Sequence, residues 1–325
     1  MRLPNFRKKP RAQAANGITC TTAELLELRH KARSLIGTSS QKSYSIMAGS
    51  TLSKFRGRGM DYAESRIYTP GDDIRSIDWR VTARTGKPYT KLYMEERDHP
   101  IITLVNFSPS LYFGTKEAFK SVIAARLAAT IAWTAALNND RIGGILLTAK
   151  EKFDLRPKAG RKGVMALIHA LAQATAQNPA DHEESFLEPI LHHATRTVRP
   201  GSRIFLISDF YNFDPQLEQN LSRLRRHNDL ILCQIIDPLE LEAPAPGIYN
   251  ISNGKEYARF NTKSVTQRQA YTAIFKQRRQ QLERISANLK IPYLKIVSGD
   301  DMTGAMRRGL SLKRNGVNKR NGVKA

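Results

Sequence analysis

Three polar side chains alternate just past an apolar run: Asn106, Ser108 and Ser110, in IITLVNFSPS at residues 101–110. The run itself, IITLV, is continuous and rich in β-branched residues. That predicts a strand buried on both faces, in the middle of a parallel sheet. Pro109 stops the strand from continuing. In open α/β sheets ligands bind outside the carboxyl ends of strands, so this turn is a candidate binding site. The plainer alternative is a polar turn that caps the following helix. A second buried run, RIFLI at 203–207, ends in the same way with a carboxylate, Asp209.

Other acids cluster in SRIYTPGDDIRSIDWR at 65–80. Asp72, Asp73 and Asp78 stand among Arg66, Arg75, Arg80 and Arg84, with no His or Cys nearby to act with them. This favours an internal ion-pair network that orders a loop-rich region over a catalytic site. Pro70-Gly71 fits the central positions of a type II turn. Ile77, Trp79 and Val81 alternate with Asp78, Arg80 and Thr82, which predicts a half-buried strand. No GxSxG, HExxH or Walker loop is present, and Gly57-Arg58-Gly59 is too little for a nucleotide fingerprint. His192-His193 sits inside a helical segment, where adjacent side chains diverge and chelate poorly. Enzymatic activity is not expected from these patterns.

The composition, with 41% hydrophobic and 25% charged residues over 325 positions, suits a globular protein with a sizeable core. Cys20 and Cys233 lie far apart without a CxxC pair, which argues for a reducing compartment and against a disulfide scaffold. The charge is unusual: 52 Lys+Arg against 29 Asp+Glu, a formal net of +23. Much of it is terminal, with Arg2, Arg7, Lys8, Lys9 and Arg11 at one end and Arg307, Arg308, Lys313, Arg314, Lys319, Arg320 and Lys324 at the other. Such tails are expected to be disordered, and they could hold anionic membrane, nucleic acid or an acidic partner. Phe6 is their one aromatic, too few for interleaved base stacking. The first residues have no apolar region of a secretory signal, and the most apolar helical segment, 122–137, carries Arg126 and is short for a bilayer span. The expectation is a bacterial-type cytoplasmic protein, with peripheral contact at the inner membrane as an option.

The elements needed to position these residues can be read in order. Thr21 is an N-cap and Glu24 a capping-box residue for a helix that Gly37 ends. A strand is expected at 90–94. After the polar turn come a buried helix at 116–137, a strand at 141–148 with a hairpin extension near Phe153, and helices to about 176 and over 183–198. The strand at 203–207, a helix at 215–227 and a strand at 230–236 complete a βαβ alternation, which argues for a doubly wound parallel sheet. Asn253-Gly254 predicts a type I′ hairpin. A Gln- and Arg-rich amphipathic helix at 265–289, a strand at 291–297 and a short helix at 302–310 follow.

The stretch 57–98, with its GDDxRxIDW core at 71–79, resembles the signature of bacterial domain-of-unknown-function family 58. These are the MoxR-associated proteins with a von Willebrand factor A-like domain. The similarity continues through the 106–110 turn, Ile207-Ser208-Asp209-Phe210 and Asp237-Pro238-Leu239-Glu240, covering roughly 48–297. The resemblance implies an α/β, von Willebrand A-like (Rossmann-like) sheet preceded by a smaller β-rich region. It divides the chain into a basic tail at 1–20, a helix plus β-rich region at 21–98 carrying the motif residues Arg66, Tyr68, Gly71, Asp72, Asp73, Arg75, Asp78, Trp79 and Arg84, a von Willebrand A-like domain at 99–300, and a short helix and basic tail at 301–325. It also implies a non-enzymatic partner of a MoxR-type AAA+ ATPase, and of other operon-encoded von Willebrand A proteins, in chaperoning or maturation of clients. Von Willebrand A domains carry an Asp-x-Ser-x-Ser turn that ligates Mg²⁺ or Mn²⁺, with a distal acid. Ser108, Ser110 and Asp209 match those positions; Asn106 stands where Asp is expected, and no Thr ligand is found near 159–163. The loss of one carboxylate lowers the affinity for a divalent ion. The alternative is a metal-free turn in which Asn106 and the serines bond each other and Asp209.

Overall fold

Every residue of Ile101–Asn106 is buried, as a two-sided hydrophobic strand requires. The structure, a computed structural model, describes residues 17–37, 50–53, 60–177, 187–211, 216–252 and 257–311. In chain order the elements are α1 (Thr22–Gly37), β1 (Ser50–Ser53), β2 (Met60–Ile67), α2 (Trp79–Thr85), β3 (Tyr89–Asp98), β4 (Ile101–Asn106), α3 (Lys120–Leu137), β5 (Arg141–Leu147), β6 (Lys152–Ala159), α4 (Gly160–Thr175), α5 (Glu188–Thr197), β7 (Arg203–Ser208), α6 (Leu217–Arg225), β8 (Asp229–Ile236), α7 (Pro238–Leu241), β9 (Ile248–Ser252), β10 (Tyr257–Asn261), α8 (Val265–Asn288), β11 (Tyr293–Val297) and α9 (Met302–Ser311).

The larger of two units comprises residues 1–48 and 100–325. Its sheet has the order β11-β8-β7-β4-β5-β6. All pairings are parallel except β5 with the edge strand β6, a hairpin. This is the doubly wound, mostly parallel α/β sheet expected from the βαβ alternation. Alternation along each strand sorts the core into two layers. Ile101, Val105, Phe205 and Ile207 face α1, α3, α4 and α9. Ile102, Leu104, Ile204 and Leu206 face α5, α6 and α8. The chain leaves β4 toward β5 and β6, then returns to the other side of β4 to form β7. The gap between the carboxyl ends of β4 and β7 is therefore a topological switch point, the place where such sheets bind ligands.

Helix α3 passes a length and composition test for crossing a membrane, but most of it is buried in this unit. It lies between the sheet and α1. Arg126 reaches Glu24 at 2.7 Å, and the Trp133 indole donates to the Leu25 carbonyl at 3.1 Å. The helix starts at Lys120 rather than 116, because residues 115–119 form a loop. Gly144 on β5 is needed for close approach: a Cβ there would lie 2.8 Å from the Leu167 side chain.

Several boundaries read from the sequence move. Helix α1 belongs to the large unit, not to a 21–98 region, because its face (Leu25, Leu28, Ala32, Leu35) joins that unit's core. Residues 17–20 are not tail: Cys20 is buried, and its backbone N–H donates to Thr175 Oγ1 at 3.2 Å. Helix α9, expected at 302–310, buries Met306 in the same core. The basic tails at 1–16 and 312–325 lie outside the described residues. β9 and β10 pair as the expected antiparallel hairpin, with Ser252 opposite Tyr257; its turn residues Asn253 and Gly254 lie outside the described residues.

The smaller unit is residues 49–99, an antiparallel sheet of order β1-β3-β2 with α2 and a 3₁₀ turn at Ile74–Ser76. The predicted strand at 77–82 survives only as an isolated bridge from Ile77 to Thr90, and from Trp79 on the chain is instead α2. Asp78 accepts from the Val81 N–H at 3.2 Å as its N-cap, and Gly86 ends it in the left-handed conformation. Local capping overrides the alternating pattern, and Trp79 is left 68% exposed.

Candidate functional site

The turn after β4 is buried and closed on itself. Asn106 and Ser108 are both buried, and the Ser108 and Ser110 hydroxyls lie 3.0 Å apart. Ser108 precedes the 3₁₀ turn Pro109–Leu111 without a side-chain cap bond, and Phe119 precedes α3 likewise, so the turn is not a helix cap.

Beside it, β7 ends in two successive side-chain turns. Ser208 Oγ accepts from the Phe210 N–H at 3.1 Å, and Asp209 Oδ1 from the Tyr211 N–H at 3.3 Å. They hold the buried Phe210 at φ +52, a conformation that costs a bulky residue free energy and that tends to cluster at functional sites. The other Asp209 oxygen, Oδ2, accepts from the Lys120 ammonium at 2.9 Å. Lys120 is the first residue of α3 and only 1% exposed. Its ammonium also donates to Glu240 Oε1 at 2.6 Å. Glu240 lies in α7, just after β8, the strand beside β7.

The acids are fixed by a second layer. The Asp237 N–H donates to Glu240 Oε2 at 3.0 Å and the Leu239 N–H to Asp237 Oδ1 at 2.9 Å, a capping box that starts α7. Thr115 donates its N–H and hydroxyl to the Asp237 carboxylate at 2.9 and 2.6 Å, tying the loop after β4 to the end of β8. Gln234 Nε2 donates to the Asp209 carbonyl at 3.1 Å, and Tyr293 donates to Gln234 Oε1.

Burial disfavours every charge here, but the balance differs from group to group. For Lys120 burial is opposed by two facing carboxylates, and the ammonium is held above its ordinary pKa. For Glu240 burial dominates: one cation is shared between two acids, Asp209 adds repulsion, and the carboxyl is pushed up. The cluster holds its ammonium firmly and carries one acid in excess.

The residues present do not fit a bound Mg²⁺ or Mn²⁺. Asp209 has given its oxygens to Lys120 and to the backbone, Asn106 brings no charge, and the serine hydroxyls pair with each other. Among the described residues no group of three or more His, Cys, Asp and Glu side chains is placed to hold a metal. The expected bond from the serines to Asp209 is replaced by the Lys120 pair. Lys120, Glu240, Asp237 and Thr115 were not among the sequence candidates. A lysine opening an otherwise apolar helix, and the Asp-x-x-Glu spacing of 237–240, were the available signals.

The motif residues form a different arrangement, in the smaller unit. Arg66 pairs with Asp72 at 2.7 Å and donates to Thr69 Oγ1 at 2.8 Å. Thr69 and Asp72 close the type II turn at 3.0 Å, with Gly71 at φ +108. The Tyr68 N–H donates to the Pro88 carbonyl at 2.9 Å. Asp73 caps the 3₁₀ turn by accepting from the Arg75 N–H at 3.0 Å, and Asp78 also accepts from Ser65 Oγ at 2.9 Å. Arg75 and Arg84 are on the surface. Among the described residues the expected network includes the Arg66–Asp72 ion pair and two capping carboxylates, arranged to order turns.

The large unit presents apolar side chains where its three central strands end. Phe113 is 40% exposed, Tyr211 41% and Leu241 38%. Each borders a corner of the buried cluster: the Phe113 carbonyl accepts from the Lys120 N–H at 2.8 Å, Tyr211 bonds Asp209, and Leu241 follows Glu240. The Arg278 guanidinium covers the Tyr211 ring at 4.0 Å.

"Uncharacterized protein Rv1480" of Mycobacterium tuberculosis is 28% identical over 215 residues, 66% of this chain and 67% of that protein. "Uncharacterized protein Mb1516" of Mycobacterium bovis matches equally. Among solved structures, BatB from Bacteroides thetaiotaomicron has a TM-score of 0.41 at 15% identity, covering 66% of this chain and 98% of that one. A von Willebrand factor type A structure from Catenulispora acidiphila has a TM-score of 0.37 at 10% identity, covering 67% and 42%. The profile of the family described as "Protein of unknown function DUF58" matches residues 64–281, spanning both the motif and the buried cluster, and the chain belongs to that family.

Proposed function

We propose that this protein is a non-enzymatic docking scaffold that receives a partner protein on the carboxyl edge of its central sheet. The partner we propose is a MoxR-type AAA+ ATPase, with chaperoning or maturation of client proteins as the joint task; other von Willebrand A proteins of the same operon are further partners. The observation that carries the reading is the rim of Phe113, Tyr211 and Leu241 around a buried polar cluster whose two carboxylates share the Lys120 ammonium and are held by hydrogen bonds. Exposed aromatic and aliphatic side chains over a rigid base are what interfaces use as anchors. The acids that could do general acid–base chemistry are held by Lys120, Thr115 and backbone N–H groups, which suits support rather than turnover. The working location is the cytoplasm, with peripheral contact at the inner membrane. Co-expression with a MoxR-type ATPase of the same genome tests the reading: the two co-purify if it is right, and failure to do so counts against it.

The net charge of +23 favours a second reading, a basic adaptor for nucleic acid or anionic membrane. It requires binding that weakens steeply with salt and disappears when residues 1–15 and 307–325 are deleted.

A further inference from the structure

We propose that Lys120 is a built-in replacement for a divalent cation, so that the switch-point site is complete without metal. The resemblance to von Willebrand A domains leads one to look for Mg²⁺ or Mn²⁺ beside Asp209, and the residues around Asp209 do not fit one. What they fit is an ammonium. Lys120 is 1% exposed, yet its stem comes from the first turn of α3, the helix that directly follows the loop of Ser108 and Ser110. Its Nζ meets one oxygen from each of two strand ends, Asp209 Oδ2 after β7 at 2.9 Å and Glu240 Oε1 after β8 at 2.6 Å. Bridging carboxylates from neighbouring strand ends is the task a bound ion performs in such a site.

The substitution has a consistent logic. A buried charge is tolerated only when paired and hydrogen-bonded. A tethered ammonium provides the pairing at every ion concentration, whereas a bound metal provides it only above its dissociation constant. Asn106 accords with this: it brings an oxygen without the second negative charge that a divalent ion needs to bind well. The inference concerns the cation alone and stands or falls independently of which partner docks on the rim.

Removing the ammonium should turn the position into a cation site. Melting temperature is measured with and without MnCl₂ for the wild type, Lys120→Ala, and Lys120→Ala combined with Asp209→Asn. The wild type is expected to show no shift. Lys120→Ala melts lower and recovers in a saturable way with Mn²⁺, because an ion that binds only the native state stabilises it. The double variant shows no recovery. Should Lys120→Ala not fold unaided, its refolding yield with and without MnCl₂ is read in place of the melting temperature, and a higher yield with Mn²⁺ is expected. Two results overturn the proposal. One is a saturable Mn²⁺ shift in the wild type that Asp209→Asn removes. The other is a Lys120→Ala protein whose melting temperature or refolding yield is indifferent to Mn²⁺.

Discussion

Replacing Lys120 by Met keeps most of the stem volume and deletes the charge. The structure predicts that this is among the most damaging single changes outside the hydrocarbon core. Breaking a buried ion pair by removing one partner costs about 3–5 kcal/mol, since the other charge stays buried and unpaired. Here two carboxylates are left facing each other, Asp209 and Glu240, so the upper part of that range applies. For a domain of 150–250 residues each kcal/mol moves the melting temperature by about 2–4 °C, which gives a fall on the order of 10–20 °C. The penalty must depend on pH. Burial already pushes the Glu240 carboxyl up, and removing the ammonium takes away the charge that opposes this, so its folded pKa lies above its unfolded one. It binds more protons in the native state, so the stability it contributes is lost as pH rises and regained as it falls. The gap between variant and wild type should therefore be wide at pH 7.5 and narrow toward pH 5. Urea melts followed by circular dichroism at both values give the comparison. The triple variant Lys120→Met, Asp209→Asn, Glu240→Gln, with no charge left to pair, should regain most of the loss. A Lys120→Met protein within about 1 kcal/mol of the wild type at pH 7.5 would refute the reasoning, because that is the worth of an exposed pair, not a buried one.

Other perturbations have equally definite outcomes. Gly144→Ala pushes a Cβ to 2.8 Å from both Leu167 Cδ1 and Thr103 Oγ1; the overpacking should cost about 1–3 kcal/mol in a urea melt. Burial pushes the Cys20 thiol up to about 11 and the Cys233 thiol higher still, so neither should be alkylated by iodoacetamide at pH 8 until the protein is unfolded. The Thr69 backbone N–H, its hydroxyl and Arg66 hold the Asp72 carboxyl below its usual range. Its contribution is present above the unfolded pKa and is lost as pH falls through the lower folded one. Asp72→Asn should consequently lower the stability at pH 7, with the difference from the wild type shrinking as pH falls below the ordinary carboxylate range, as read by acid titration of the wild type and variant.

The sheet was legible because both of its faces are buried. Runs such as 101–105, 203–207 and 230–236 have one reading as strands, and the helices between them leave a parallel arrangement. Capping competed with periodicity at 77–82. Apolar alternation suggested a strand there, and the short side chain of Asp78 three residues before Val81 decided for a helix. The domain boundary at α1 was hidden because an amphipathic helix does not announce which face will cover it. The candidate site was half legible. Strand ends located Asn106, Ser108, Ser110 and Asp209, since their place depends on local sequence. Lys120 reaches Asp209 across 89 residues and Glu240 across 120. Only the register of β4, β7 and β8 brings them together, and no spacing within the chain encodes that meeting.

The central claim, a docking face at the carboxyl edge of the sheet, is tested most directly by the affinity of the purified protein for its co-expressed MoxR-type ATPase. The measurement compares the wild type with the double variant Phe113→Asp, Tyr211→Asp, each in EDTA. Both replaced side chains are partly exposed, so the variant should melt near the wild type while its affinity falls by at least about tenfold, the loss of a single interface anchor. The wild type should bind in EDTA. Undiminished binding by the folded variant, or no binding by the wild type, would contradict the account.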